Sequence, residues 1–219
     1  MKRSFTAAAG ALAAFALVLF AQPRTLNAFF DDFTARWIRG NPDQAISTRH
    51  FTGPEQARLE RELTPQTDAW RASRVALARE GLAELRRFDR ARRGDTEHVS
   101  ADLMDWQLAV IVEGDKYADY LFPLEQFQGA NVNLVAALTV SHPLNTDGDA
   151  NSYIARLGQV GTRMDEAVAE ARRLIAKGLF PPRFIVQATL DQMQQFLASP
   201  PAQNAFVSVF AERLASCEC

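Results

Sequence analysis

Apolar side chains recur every three or four positions along this chain, the period of a helix with one buried face, and no stretch alternates strictly as a half-buried strand would. The first such segment is predicted over Ala28 to Arg39. There Phe29, Phe33 and Trp37 stand four apart, and Gly40-Asn41-Pro42 ends the pattern. Asn41 to Thr52 reads as a loop with one helical turn, and a short charged helix follows Pro54. Thr64 suits an N-cap and Pro65 a first helical position, so the next helix is expected from Pro65 to Ala91. Its inward face would carry Val75, Ala78, Leu82, Leu85 and Phe88, with arginines opposite. Another helix opens at Asp95 or Thr96 and is expected to bury Val99, Leu103, Trp106, Val110 and Tyr117. Two helices joined by so short a turn must pack antiparallel.

Leu121 to Asn145 is interrupted by Pro123, Gly129 and Pro143 and reads as a loop containing one short helix. Thr146-Asp147 then caps the longest predicted helix, Asp147 to Lys177, whose stripe runs Tyr153, Leu157, Val160, Met164, Ala167, Ala171, Leu174. Gly178 suits its C′ position and Pro181-Pro182 forbids continuation. Two further helices are expected, Arg183 to Ser199 with Val186, Leu190, Met193 and Leu197 inward, and Ala202 to Ala215. The expected fold is all-α, a multi-helix array of antiparallel helices with one long helix near 147–177.

Lys2 and Arg3 precede an uncharged, apolar run from Phe5 to Ala21, which Pro23 and Arg24 break. That order marks a secretory signal peptide, and the run is short for a bilayer span. Cleavage after Ala21 or after Ala28 would each leave a leucine at the −3 position, so an uncleaved N-terminal anchor stays open as the alternative. The chain divides as 1–28 leader and 29–219 helical domain, exported to the periplasm or secreted. Membrane contact is expected only through the N-terminal segment. A net charge of −2 gives no basic surplus for phosphates, so no nucleic-acid partner is expected. Cys217 and Cys219 are too close for an unstrained disulfide and read as a frayed end.

Candidate chemistry is sparse. His50, His98 and His142 are scattered. His98, Asp102 and Asp105 share a helix side and are metal-ligating types, but three ligands on one helix seldom converge, and a solvated face accounts for them. Glu166 and Glu170 have Arg163 and Arg173 in reach as surface partners. Neither a nucleophile elbow nor a phosphate-cradling glycine loop occurs. The sequence therefore offers no catalytic and no metal-binding residue. Gln126, Gln128, Asn131 and Asn133 punctuate an irregular segment, where they could line a pocket or satisfy the backbone as helices turn.

From Leu121 onward one order of residues resembles a known family. Leu124-Glu-Gln-Phe-Gln-Gly129 is followed by His142-Pro143, Tyr153, Arg156-Leu157, Met164-Asp165, Arg173, Gly178 and Pro181-Pro182. This is similar to the N-terminal half of the bacterial family catalogued as domain of unknown function 885. The resemblance implies an exported, zinc-dependent, peptidase-like hydrolase whose zinc-binding His-Glu segment lies in a C-terminal half. This chain ends before any such segment, so zinc is expected only in a full-length relative. The implied partners are a peptide substrate and a missing C-terminal half of the same protein. The positions that carry over suit a helical wall over a substrate cleft; Gln126, His142 and Arg156 among them, together with Asn131 of the irregular segment, are the pocket-wall candidates. A stand-alone periplasmic binding module without activity is the other reading.

Overall fold

A computed structural model describes residues 25–89 and 94–216. The fold is all-α, with no strand among the described residues. Thr25 opens α1 (Leu26–Arg39) by accepting the Ala28 amide at 3.2 Å. Its inner face sets Leu26, Phe29 and Phe33 against Ala78, Leu82 and Leu85 of α4 (Asp68–Leu85). Phe88 reaches the same cluster, 5.5 Å from the Phe29 ring. Between them lie two short helices of about two turns each, α2 (Pro42–Thr48) and α3 (Gly53–Leu59). The segment expected to be mostly loop after Asn41 is thus helical over seven residues, with Asn41 as N-cap and Pro42 at the first position.

Helix α4 starts three residues later than the Thr64-Pro65 pair suggested. Thr67 is its N-cap, accepting the Trp70 amide at 3.0 Å. The Thr64 hydroxyl is committed elsewhere, accepting the Asp43 amide at 3.1 Å and donating to Asn41 Oδ1 at 2.8 Å. The α4 helix also ends early, at Leu85, passing through a turn before α5 (Asp95–Gly114). These two form the expected antiparallel hairpin.

The side of α5 that faces the hairpin is not the expected one. Ala101 and Leu108 are buried, with Met104, Ile111 and Val112 packed beside them. Val99, Leu103, Trp106, Val110 and Tyr117, the stripe expected to be buried, are all at least half exposed. The helix is apolar on two faces, and the one carrying Ala101 and Leu108 packs into the cluster with α1 and α4.

A 3₁₀ turn (Asp115–Tyr120) and a looped stretch lead to α6 (Ala130–Thr139). The long helix expected near 147–177 is present as two, α7 (Asp147–Leu157) and α8 (Val160–Ala176). They part at Gly158-Gln159. The Gln159 side chain bridges the helix end to a neighbouring loop: it accepts from the Leu63 amide at 3.0 Å and donates both to the Arg61 carbonyl at 2.6 Å and back to the Ala155 carbonyl at 3.0 Å. It thereby satisfies a loop that has no helical partners of its own. The stripe survives the break: Tyr153, Ala167, Ala171 and Leu174 are buried and Leu157, Val160 and Met164 half-buried. Gly178 takes the left-handed C′ conformation at φ 76°, with Leu179 donating back to the Leu174 carbonyl.

Helices α9 (Arg183–Ala198) and α10 (Ala205–Ala215) complete the fold. Of the expected inward face of α9, Val186, Leu190 and Leu197 are exposed and Met193 half-buried. The inner face is shifted by one residue to Ile185, Thr189, Met193 and Phe196. On α10, Phe210 stacks on Tyr153 at 4.6 Å, and the Phe206 carbonyl accepts the Tyr153 hydroxyl at 2.8 Å.

Candidate functional site

The two halves of the fold meet at a buried polar junction built on Arg156 and His142, each 1% exposed. Arg156 sits in the last turn of α7. It reaches back to Asp43, in the first turn of α2, in a close ion pair through Nη2. Its Nη1 lies 3.2 Å from His142 Nδ1. The other ring nitrogen, Nε2, is 2.8 Å from the Asp149 carbonyl, which can only accept. The network therefore assigns the imidazole its Nε2–H tautomer and leaves Nδ1 as the acceptor for Arg156. Burial pushes the His142 pKa down, with the Arg156 and Arg213 cations adding to it against the Asp149 carbonyl and charge. Arg156 is also lowered, chiefly by burial, with Asp43 opposing.

A second layer fixes these groups. Asp149 is buried and accepts the Asn145 and Thr146 amides at 2.9 and 3.1 Å, closing the capping box of α7. Its other oxygen takes Arg49 Nη2 at 2.9 Å. Arg49 is the C-cap of α2 and holds φ 45°, a left-handed conformation in which its neighbours must keep it. Arg213 of α10 donates to the His142 and Thr139 carbonyls at 2.8 and 3.2 Å. The Tyr153 ring meets the imidazole edge-on at 5.5 Å.

This junction floors an open cleft of about 510 Å³ between α2 and α6, with Ile46, Ala136 and Ala137 among its lining residues beside the polar ones. Asp43 and Arg156 are its charged lining groups, and Asn41, Gln44, Ser47, Thr64, Asn133 and Ser141 supply amides and hydroxyls. Two Arg156 nitrogens are occupied within the protein, and Nε is buried without a partner. The guanidinium is thus no anchor for an incoming anion.

The four pocket-wall candidates separate. Arg156 lines the cleft and His142 lies directly behind it. Asn131 instead faces α9, donating to Gln192 Oε1 at 3.0 Å, and lines an apolar cavity of about 620 Å³ enclosed by α6, α8, α9 and α10. Gln126 takes part there through its carbonyl, 3.5 Å from Gln192 Nε2. Helix α6 divides the two pairs. Asn133 does what a backbone-satisfying residue would, donating to the Gln128 carbonyl at 2.7 Å.

Asp43 and Gln44 carry no mark in the sequence as site residues, and Thr64 reads there only as a helix cap. The run Asn41-Pro42-Asp43 does announce a capped helix start with an acidic first turn. Nothing local announces the partner of Asp43, which lies 113 positions on. The remaining candidates are ion pairs or surface. His98 Nε2 is 3.6 Å from Asp102, and Asp105 is held by Arg86 at 2.7 and 3.0 Å. Glu166 pairs with Arg163 at 2.8 Å and Glu170 with Arg173 at 2.5 Å. Among the described residues no group of three or more His, Cys, Asp or Glu side chains is placed to hold a metal ion. Cys217 and Cys219 lie outside the described residues, as does the leader through Arg24.

Fold and cleft together define an all-helical protein with a hydrogen-bonding groove whose charged groups are tied to each other. No curated protein matches the chain. It belongs to a family of bacterial proteins of unknown function, DUF885, whose sequence profile matches residues 47–217.

Proposed function

We propose that this chain is the non-catalytic helical portion of an exported, peptidase-like zinc hydrolase, and that the α2–α6 cleft is part of its substrate wall. The observation that carries the reading is the chemistry of the lining. Asn41, Ser47, Thr64 and Asn133 are hydrogen-bonded within the fold. Gln44 and Ser141 are therefore the side chains offered to the N–H and C=O of a peptide main chain, whereas Asp43 and Arg156 neutralise each other. Such a surface orients a substrate and does not activate water. The described residues do not fit zinc, because the one local trio of suitable types is split between an Asp102 contact and the Arg86 pair. The metal would have to be held by residues outside those described. For export, a cut after Ala21 keeps the Thr25 cap and the buried Leu26 of α1, while a cut after Ala28 removes both.

The test is to titrate the purified protein with a peptide library, with and without zinc. Saturable binding that Gln44→Ala and Ser141→Ala weaken, without turnover, is expected. Tight stoichiometric zinc binding accompanied by peptide hydrolysis would refute the non-catalytic assignment. A stand-alone binding module is the second reading, favoured by the fact that this chain alone supplies both walls of the cleft. A reading frame continuing into a His-Glu-containing segment would speak for the first reading over the second.

A further inference from the structure

Away from the α2–α6 cleft, helix α6 borders the cavity of about 620 Å³ that α8, α9 and α10 wall on its other sides. Val132 and Val135 of α6, Met164 of α8, Met193 and Phe196 of α9 and Phe206 of α10 line it. The lining follows α6 from Ala130 to Val140, roughly 15 Å. No ionisable side chain lies among the lining residues. Two of the polar ones are committed within the fold: Asn131 Nδ2 donates to Gln192 Oε1 at 3.0 Å, and the Thr139 hydroxyl donates to the Val135 carbonyl at 2.8 Å. Ordered water wants about two to four polar partners, which such walls do not supply, so an apolar molecule displaces it readily.

The cavity lies between helices of one chain and is bridged over. The Asn131–Gln192 pair ties α9 to α6, and one turn further along α9 the Phe196 ring meets Phe206 of α10 edge-on at 5.3 Å. A partner's helix, about 10 Å across, would have to displace α9 to enter. A small molecule would not. The volume falls within the roughly 300–1,000 Å³ of small-ligand sites. The covering helix is also lightly seated, with Thr189 its one buried residue and a proline pair before and after it, so it can yield as a ligand enters.

We infer that this cavity binds a small, uncharged molecule with a linear apolar body, such as a medium-chain alcohol. The methylenes lie along α6, between Val132 and Val135 on one side and Met193 and Phe196 on the other. Met164 and Met193 are the side chains that adapt to its outline. A charged head group finds no counter-charge on any lining residue and would give up hydration for nothing. The site is separate from the peptide cleft and does not depend on that reading.

Calorimetric titration of the purified protein with hexanol, octanol and decanol tests this, with decanoate and decylammonium as charged counterparts. Saturable one-to-one binding is expected, tightening by about tenfold for each two methylenes added. Each charged counterpart should bind at least about tenfold more weakly than decanol. These arms need only the native protein. Val135→Trp and Met193→Trp fill the cavity from opposite walls, and each should weaken decanol by about tenfold or more, with circular dichroism confirming that the variant has folded. Trp106→Asp, on the exposed side of α5, should leave decanol binding unchanged. No saturable binding, no gain with chain length, or equal binding of decanol and its charged counterparts overturns the inference. So does decanol binding that a folded cavity-filling variant leaves intact or that Trp106→Asp abolishes, because the site would then lie elsewhere.

Discussion

Replacing Arg156 by methionine tests whether the buried junction holds the two halves together. Methionine fills much of the same volume and removes the charge. His142 Nδ1 then loses its donor inside the fold, which costs about 1–3 kcal/mol for a buried acceptor. Asp43 loses its partner too, but its side chain is 35% exposed and can rehydrate, so that loss resembles a surface pair at about 0–1 kcal/mol. Together these give about 1–4 kcal/mol, with a midpoint of about 2–3, below the roughly 3–5 expected for breaking a fully buried pair. For a domain of this size that is a fall in Tm of about 5–10 °C. Urea unfolding of Arg156→Met, His142→Phe and the double variant separates the interaction from its surroundings. Each single change strands a polar atom that the double change does not, so the double variant should cost less than the sum by about 1 kcal/mol or more. Strict additivity, or an Arg156→Met cost below about 0.5 kcal/mol, would mean that the junction is not coupled as described.

Three further outcomes follow from the same coordinates. His142 has a folded pKa below its ordinary 6.5, so the unfolded chain binds the proton more readily. Its contribution is present above pH 6.5 and is lost as pH falls through that value, and stability measured from pH 7.5 to 5 should decline less steeply in His142→Phe. Alanine at Gly81 and at Gly114 should act in opposite directions in denaturant titrations. A Cβ on Gly81 would lie 2.1 Å from Phe33 Cε2, and overpacking of about 1–3 kcal/mol outweighs a helix-propensity gain of at most about 1 kcal/mol. Around Gly114 nothing lies within 4 Å, so there the gain should show as a few tenths to about 1 kcal/mol. Tyr153→Phe removes the hydrogen bond to the Phe206 carbonyl while keeping the stack on Phe210. It should cost about 1–2 kcal/mol, seen as a lower unfolding midpoint.

The helical class, the hairpin and the stop at Gly178 were legible in the sequence because each has a local cause, a periodic stripe or a residue suited to a fixed conformation. The inward face of α5 was not. Its two apolar faces compete, and bulk favoured Leu103 and Trp106 where packing chose Ala101 and Leu108. The break in the long helix was hidden for a related reason, since Gln159 at the break also serves Leu63 of a loop 96 positions earlier. Thr64 carried the chemistry of a cap, and its hydroxyl is spent on α2 instead of on α4. Of the candidate site, Arg156 and His142 were reached through the family resemblance and do sit together. Asp43, which completes the set, has no local mark.

A helix that is apolar on both sides could in principle be rolled half a turn about its axis and still bury grease against α1 and α4. What distinguishes the native roll is polar. Arg86 grips Asp105 with two hydrogen bonds across the hairpin, and Asn27 donates to Glu97 at 3.0 Å from α1. Rolled over, those acids would face water and their partners would be left behind. Weak as exposed pairs are for stability, these two act as a key that sets which side of α5 the rest of the molecule sees, and so which side is offered to the outside.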